Sequence, residues 1–138
     1  KYIVYHRKHR LLFIAVKESF LGLITGVGYI ARKAASTLTP TNCLTKNEDG
    51  SYTFSFKSRL VNADITFRLD EEFEERKPDG TTVTSVVHFE DNKMIHYQTD
   101  AKGRTSKHVR EFYPDKMIVT TTAVGFDKTA TRQFQLAQ

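Results

Sequence analysis

The sequence predicts an all-β protein, an antiparallel sandwich or barrel preceded by one short helical stretch. From Asn42 onward, short runs of alternating polar and apolar residues recur roughly every ten residues, with turn sequences between them. Two of these runs, residues 82–87 and 117–122, place polar side chains on both faces. A barrel with a wet, partly polar interior tolerates that mixture better than a packed sandwich does. We therefore expect a barrel of about ten strands.

The helical stretch precedes these strands. Residues 16–25 and 27–38 have a composition compatible with helices, Gly26 and Gly28 interrupt them, and Pro40 ends the second. This pattern predicts a short helix-turn-helix. The predicted strands that follow are residues 43–46, 51–58, 65–69, 71–77, 82–89, 93–99, 104–112, 117–122 and 128–136.

Length and composition indicate one domain, residues 1–138, with a net charge of +5. Much of the basic surplus lies in residues 6–10. Such a strip is more typical of a solvated surface than of a nucleic-acid site, because the nearby aromatic residues do not form a stacking row on one sheet face. Cys43 is the single cysteine, so no internal disulfide is expected and a reducing compartment fits.

The N-terminal residues resemble a signal peptide only faintly. The apolar run at residues 11–16 is short, and Lys17 and Glu18 follow it without a small-residue cleavage pattern. No apolar run approaches the roughly 20 residues that a membrane-spanning helix needs. We expect this N-terminal stretch to be retained and the protein to be cytoplasmic, with a nuclear location as a further possibility.

The last predicted strand carries an arginine on its apolar face. Alternation groups Arg132 with three apolar residues, Ala130, Phe134 and Leu136. In an earlier strand, Arg110 shares a face with His108 and Phe112 in the same way. Unpaired buried charge costs several kcal/mol. Each arginine therefore pairs with an internal acid, or binds an anionic ligand with an apolar body, unless the predicted register is wrong by one residue.

Several motifs, in this order, resemble those of the intracellular lipid-binding proteins, that is, the fatty-acid-binding and cellular retinoid-binding proteins. They are GVGYIARKAA at residues 26–35, TPT at 39–41, DITFRLDEEFEE at 64–75, VRE at 109–111 and TRQF at 131–134. The resemblance covers about residues 17–138. It implies a ten-stranded up-and-down antiparallel barrel of the lipocalin-like, or calycin, class, in which two short helices cap a portal to an internal cavity. The first strand is then either Leu11–Val16, or Tyr2–Tyr5 followed by an insertion.

The resemblance also implies residue roles. In the family, two arginines and a tyrosine two residues after the second hold a fatty-acid carboxylate. Arg110 and Arg132 occupy the arginine positions, whereas Phe134 replaces the tyrosine and removes one hydrogen bond to the head group. His108 replaces an aliphatic residue and is expected to bind a polar ligand group or a cavity water. Other residues placed by the resemblance line the portal, namely Leu38, Pro40 and Leu60, or form a basic surface for anionic membrane or nuclear import, namely Arg32 and Lys33.

Catalysis and metal binding find little support in the sequence. The five histidines lack the spacing and the cysteine partners of a zinc site, and the glutamates between residues 71 and 75 read as a solvated strand end. We therefore expect a monomeric, non-enzymatic carrier of long-chain fatty acids or related lipids. No cofactor, catalytic residue, metal or nucleic-acid partner is expected. The alternative is a carrier of retinoids or lipid amides that acts as a lipid-dependent signalling protein with membrane or nuclear partners.

Overall fold

The computed structural model describes residues 10–15, 41–58, 62–125, 127 and 129–136, with the backbone alone at residues 10–15 and 136. These residues form ten strands in one antiparallel sheet. The strands are β1 (Arg10–Ala15), β2 (Thr41–Lys46), β3 (Tyr52–Lys57), β4 (Asn62–Phe67), β5 (Phe73–Arg76), β6 (Thr82–Glu90), β7 (Lys93–Thr99), β8 (Thr105–Phe112), β9 (Lys116–Ala123) and β10 (Thr129–Leu136). The predicted all-β antiparallel class is confirmed.

The strands follow an up-and-down order. Each described strand pairs with its neighbour in sequence, except that β4 does not pair with β5, and β1 also pairs with β10. Phe13 of β1 lies opposite Leu136 of β10 and Asn42 of β2. The β1–β10 pairing brings the two ends of the chain's strand series together, which leaves β4 and β5 as the ends of the sheet.

Aromatic side chains cover the gap between those two ends. The Phe67 ring on β4 stacks on Phe73 of β5 with centroids 5.7 Å apart, and on Tyr52 of β3 at 6.0 Å. Phe89 of β6 meets the Tyr52 ring edge-on at 4.8 Å. We call Tyr52, Phe67, Phe73 and Phe89 the aromatic cluster. Their contacts connect β3 and β4 with β5 and β6, so the sheet closes into a barrel here through side chains.

Alternation along the strands separates interior from exterior as the sequence predicts. On β10, Ala130, Arg132 and Phe134 are buried, while Thr131 and Gln133 are exposed. The interior holds one hydrophobic core, whose buried members are Leu44, Tyr52, Phe54, Phe67, Val87, Met94, Phe112, Met117 and Phe134. The register of β10 is therefore the predicted one, and Arg132 points inward.

The boundaries of β4 and β5 differ from those predicted. β4 begins at Asn62 and ends at Phe67, instead of covering residues 65–69, because Asn62–Asp64 pair with Ser55–Lys57 of β3. Asn and Asp are unfavourable in strands, so the residue types at the start of β4 did not predict a strand there. β5 is shorter than predicted, since the chain turns at Asp70 with a φ of 65° and the strand begins only at Phe73.

The observed first strand, Arg10–Ala15, agrees with the first of the two predicted alternatives, Leu11–Val16. The predicted helix-turn-helix at residues 16–38 lies outside the described residues. Within the part that the structure describes, no helix has the length and apolar character needed to cross a membrane.

Candidate functional site

The two inward arginines lie at the same level of the barrel. Arg110 of β8 and Arg132 of β10 are both register partners of Val119 on the intervening strand β9. Neighbouring strands are about 4.8 Å apart, so the two arginine backbones are separated by about 10 Å. The two side chains therefore enter the barrel interior at one level, on either side of Val119.

Arg110 extends towards the opposite wall of the barrel. Its guanidinium carbon lies 4.4 Å from the centre of the Phe54 ring on β3, which is cation–π distance. The residue is half-buried and shares its inward face with buried His108 and Phe112. Burial lowers the pKa of Arg110 to about 10, against the opposing effect of Glu75. The side chain is therefore charged at neutral pH.

Arg132 is 9% exposed, and its guanidinium carbon lies 5.8 Å from the centre of the Phe134 ring. Phe134 is 2% exposed and belongs to the hydrophobic core. The position that the resemblance assigns to a tyrosine thus presents an apolar ring beside the second arginine. This ring stabilises the cation through its face but offers no O–H to a head group.

Beside the arginines, a continuous set of polar side chains crosses the interior from β5 to β9. We call it the polar belt, and its members are Glu75, Ser85, His96, Gln98, His108 and Thr121. All six are buried, with exposed fractions of 8% or less. Two of them, Ser85 and Thr121, lie on β6 and β9, the strands in which the sequence showed polar residues on both faces.

Glu75 is the acceptor at one end of the belt. Its Oε1 lies 2.8 Å from both Ser85 Oγ and His96 Nε2, and its Oε2 lies 3.0 Å from Gln98 Nε2. Burial raises the pKa of this carboxyl, but the hydrogen bond from His96, the charge that His96 carries when protonated in acid, and the hydrogen bonds from Gln98 and Ser85 outweigh burial and lower it to about 2. Glu75 is therefore a buried carboxylate with three donors.

Because the ionised Glu75 carboxylate can only accept, it fixes which partner donates in each further hydrogen bond of the polar belt. Gln98 turns its N–H group to Glu75, so its Oε1 accepts from His108 Nε2–H at 2.7 Å. Burial, aided by the charge of Arg110, holds the pKa of His108 well below its usual range. The neutral ring then accepts at Nδ1 from the Thr121 hydroxyl, 2.9 Å away.

The belt changes what is expected of His108. Both of its ring nitrogens bind protein side chains, Gln98 and Thr121, instead of presenting a free polar group to the barrel interior. Its observed role is to connect β7 with β9. The remaining predicted site residues, Leu38, Pro40, Leu60, Arg32 and Lys33, lie outside the described residues.

Sequence reasoning missed the other belt members, and it was wrong about Glu75. That residue was grouped with a solvated run, yet it is 7% exposed, whereas Glu71, Glu72 and Glu74 are exposed as expected. Alternation places Glu75 on the same face as Phe73, a signal that was available but that the charge of the run obscured. No cluster of three or more potential metal-binding side chains occurs within residues 41–58, 62–125 and 129–135.

Comparison with known proteins identifies the family and supports the barrel fold. Residues 17–135 match the sequence model of the Lipocalin / cytosolic fatty-acid binding protein family. A fatty acid-binding protein homolog of Caenorhabditis elegans is 41% identical over 97 residues, which is 69% of this chain and 71% of that protein. A fatty acid-binding protein of Lepidoglyphus destructor is 38% identical over 113 residues, covering 81% and 82% of the two chains.

Among solved structures, a Schistosoma mansoni fatty acid binding protein in complex with arachidonic acid superposes with a TM-score of 0.84. It is 30% identical and covers 95% of this chain and 97% of its own. An apo lipid binding protein of C. elegans, 26% identical, gives a TM-score of 0.81 over 91% of this chain and 93% of its own. The sequence match over residues 17–135 and the shared barrel fold show that the chain belongs to the lipocalin and cytosolic fatty-acid binding protein family.

Proposed function

We propose that this protein is a non-enzymatic carrier that binds long-chain fatty acids inside its barrel and transports them. The observation that carries the proposal is Arg110. It is a charged side chain on the interior face, and its buried Nη1 makes no hydrogen bond with any described residue. A buried donor left without an acceptor costs about 1–3 kcal/mol, more for a charged group. A carboxylate between Arg110 and Arg132 supplies that acceptor.

The polar and apolar parts of the interior divide the work of binding. The carboxylate takes charge-assisted hydrogen bonds from the guanidinium groups, which orient the ligand. The hydrocarbon chain packs against apolar side chains of the interior such as Phe54 and the partly buried Val119, and each buried methylene contributes about 0.8 kcal/mol. Most of the affinity thus comes from the chain, and the arginines decide which end of the ligand lies near the polar belt.

Glu75, the internal acid, does not supply the hydrogen-bond acceptor that we assign to the ligand. Glu75 is the one buried carboxylate among the described residues, and its two oxygens already accept three hydrogen bonds from Ser85, His96 and Gln98. Its charge favours the protonated form of Arg110, but no hydrogen bond joins the two groups. The alternative in which Arg110 simply pairs with an internal acid is therefore weaker than the ligand hypothesis.

The relatives supply the ligand class. The Schistosoma mansoni structure, 30% identical to this chain, contains arachidonic acid, and the curated relatives are called fatty acid-binding proteins. These names favour a long-chain fatty acid over the retinoid or lipid-amide alternative. We further propose that the carrier is monomeric and cytoplasmic and that it contacts anionic membranes transiently through Arg32 and Lys33.

A displacement titration tests the carboxylate site. A fluorescent fatty-acid probe is bound to the wild type, Arg110→Met, Arg132→Met and the control Arg104→Met, and oleate is added as competitor. Arg104 is an exposed arginine paired with Asp100, so its change leaves the interior intact. Removing either interior guanidinium is expected to weaken oleate binding about tenfold or more, with no change for the control. Equal displacement from all four proteins contradicts the proposal.

A further inference from the structure

Two buried polar atoms of the interior have complementary hydrogen-bonding capacity, one as a donor and the other as an acceptor. Neither Arg110 Nη1 nor His96 Nδ1 makes a hydrogen bond with any described residue. Arg110 Nη1 is a donor. His96 donates its Nε2–H to the carboxylate of Glu75, so in the neutral ring Nδ1 carries the lone pair and is an acceptor. Burial, opposed by the hydrogen bond to Glu75 and aided by the charge of Arg110, lowers the pKa of His96 and keeps the ring neutral.

The two side chains are neighbours on the interior face. His96 lies opposite His108 in the β7–β8 pair, and Arg110 lies opposite Met94, so His96 and Arg110 are diagonal neighbours. Diagonal pairs on one face are close enough for long side chains to meet. The His96 ring is held by two contacts with β5, since it binds Glu75 and lies 6.4 Å, centroid to centroid, from the stacked ring of Phe73. Arg110 is the adjustable partner, because it is half-buried and rests on the face of Phe54.

A plain carboxylate satisfies only one of these two atoms. Its oxygens accept from Arg110, but they present lone pairs to His96 Nδ1, which also carries one. A hydroxyl group satisfies both, because its oxygen accepts from the guanidinium while its O–H donates to the imidazole. The hydroxyl must also lie near the ligand's carboxylate, since the same guanidinium binds both groups.

We propose that the barrel selects fatty acids hydroxylated next to the carboxylate, at C2 or C3, with the hydroxyl bridging Arg110 Nη1 and His96 Nδ1. This inference rests on the proposed function, because it takes the carboxylate to lie between Arg110 and Arg132. Both bridging atoms are covered by neighbouring atoms, so the guanidinium shifts along the Phe54 ring as the ligand enters. A cation–π contact permits that movement because it has no fixed hydrogen-bond direction.

The first experiment compares matched ligands on the wild type. Palmitate, 2-hydroxypalmitate, 3-hydroxypalmitate and 16-hydroxypalmitate compete for a bound fluorescent fatty-acid probe. The 2- or 3-hydroxy acid is expected to bind about three- to tenfold more tightly than palmitate, the gain from one or two net hydrogen bonds. The 16-hydroxy acid, whose hydroxyl lies at the far end, is expected to show no gain. Equal affinity of palmitate and both near-carboxylate hydroxy acids overturns the inference.

The second experiment assigns the gain to His96. His96→Phe keeps a ring against Phe73 but removes Nδ1, so the ratio of hydroxypalmitate to palmitate affinity should fall to about one. That change also removes a donor from Glu75, and Ser85→Ala controls for this effect because it removes a different donor from the same oxygen. Ser85→Ala is expected to keep the wild-type ratio. If the ratio is unchanged in His96→Phe, His96 does not contribute to the preference for the hydroxy acid.

A measurement on the wild type covers the case in which His96→Phe does not fold. The ¹⁵N resonance of His96 Nδ1 is expected to move towards the hydrogen-bonded value when 2- or 3-hydroxypalmitate is added, and to stay in place with palmitate. The same shift with both ligands contradicts the inference. The two proposals fail differently: if no fatty acid displaces the probe, the carrier function itself is wrong, whereas binding of palmitate without a hydroxyl preference overturns only the selectivity.

Discussion

The aromatic cluster and the polar belt stabilise neighbouring parts of the same barrel by different interactions, ring packing in the first and hydrogen bonds in the second. The cluster connects the ends of the sheet at β4 and β5, where no ladder hydrogen bonds occur, by ring contacts of 4.8–6.0 Å. The belt crosses strands that are already hydrogen-bonded and adds directed side-chain bonds of 2.7–3.0 Å. Phe73 belongs to the first and stacks on His96 of the second.

The difference shows what each part contributes. Aromatic packing is tolerant of small shifts, so it suits a seam where the backbone supplies no register. The belt does not tolerate such shifts. Each of its hydrogen bonds has a fixed donor and acceptor, and these assignments all follow from the charge on Glu75. We expect changes in the cluster to reduce stability at every pH, and changes in the belt to alter how stability depends on pH.

The largest effect is expected at the seam. Phe67→Ala removes the ring that stacks on both Tyr52 and Phe73, and truncation of a buried phenylalanine costs about 3–5 kcal/mol. Urea denaturation measures this loss, with Val124→Ala, an exposed position, as the control. A loss below about 1 kcal/mol in Phe67→Ala means that the seam is held by something other than the cluster.

Acid is expected to weaken the belt through Glu75. Its pKa is lowered from 4.5 to about 2 in the folded protein, so its stabilising contribution is present above pH 4.5 and is lost as pH falls towards 2. At 1.36 kcal/mol per pKa unit this amounts to about 3 kcal/mol. The free energy of unfolding should therefore fall over this range in the wild type and fall less in Glu75→Gln. Parallel pH profiles of the two proteins contradict the assignment.

The histidines of the belt act at milder pH. The pKa values of His96 and His108 are lowered from 6.5, so the unfolded chain binds their protons first and stability falls as pH drops below about 6.5. His108→Leu should cost about 1–2 kcal/mol at pH 7, because Gln98 and Thr121 each lose a partner. Between pH 7 and 5, however, the variant should lose less stability than the wild type, by chemical denaturation at each pH.

The smallest effect is expected at Phe134, the core residue whose ring lies beside the second arginine. Phe134→Tyr introduces a phenolic O–H where the family places one, and a single hydrogen bond to a charged group is worth about 1.5 kcal/mol, or tenfold in affinity. Oleate should bind the variant more tightly in the displacement titration, while Phe134→Leu should show no gain. Unchanged affinity in Phe134→Tyr means that the head group lies away from this side chain.

Some features of the site follow from short-range pattern alone. The inward position of Arg132 could be read from the strict alternation of β10, since successive side chains of a strand always point to opposite faces. The same rule places His108 and Phe112 together. The sequence prediction failed at Glu75, because the charge of the residue suggested exposure to solvent. It also failed at the start of β4, where Asn62 and Asp64 are poor strand formers but pair with β3 all the same.

The sequence by itself determined the all-β class, the inward faces of the late strands and the two arginines on them, because a two-residue period is a local property of the chain. Only the tertiary structure decided which of these residues meet. Arg110 and Arg132 come to one level because both lie opposite Val119, and Glu75 is ionised because donors from β6 and β7 converge on it. Those contacts depend on strand register and barrel closure, which join residues far apart in the chain.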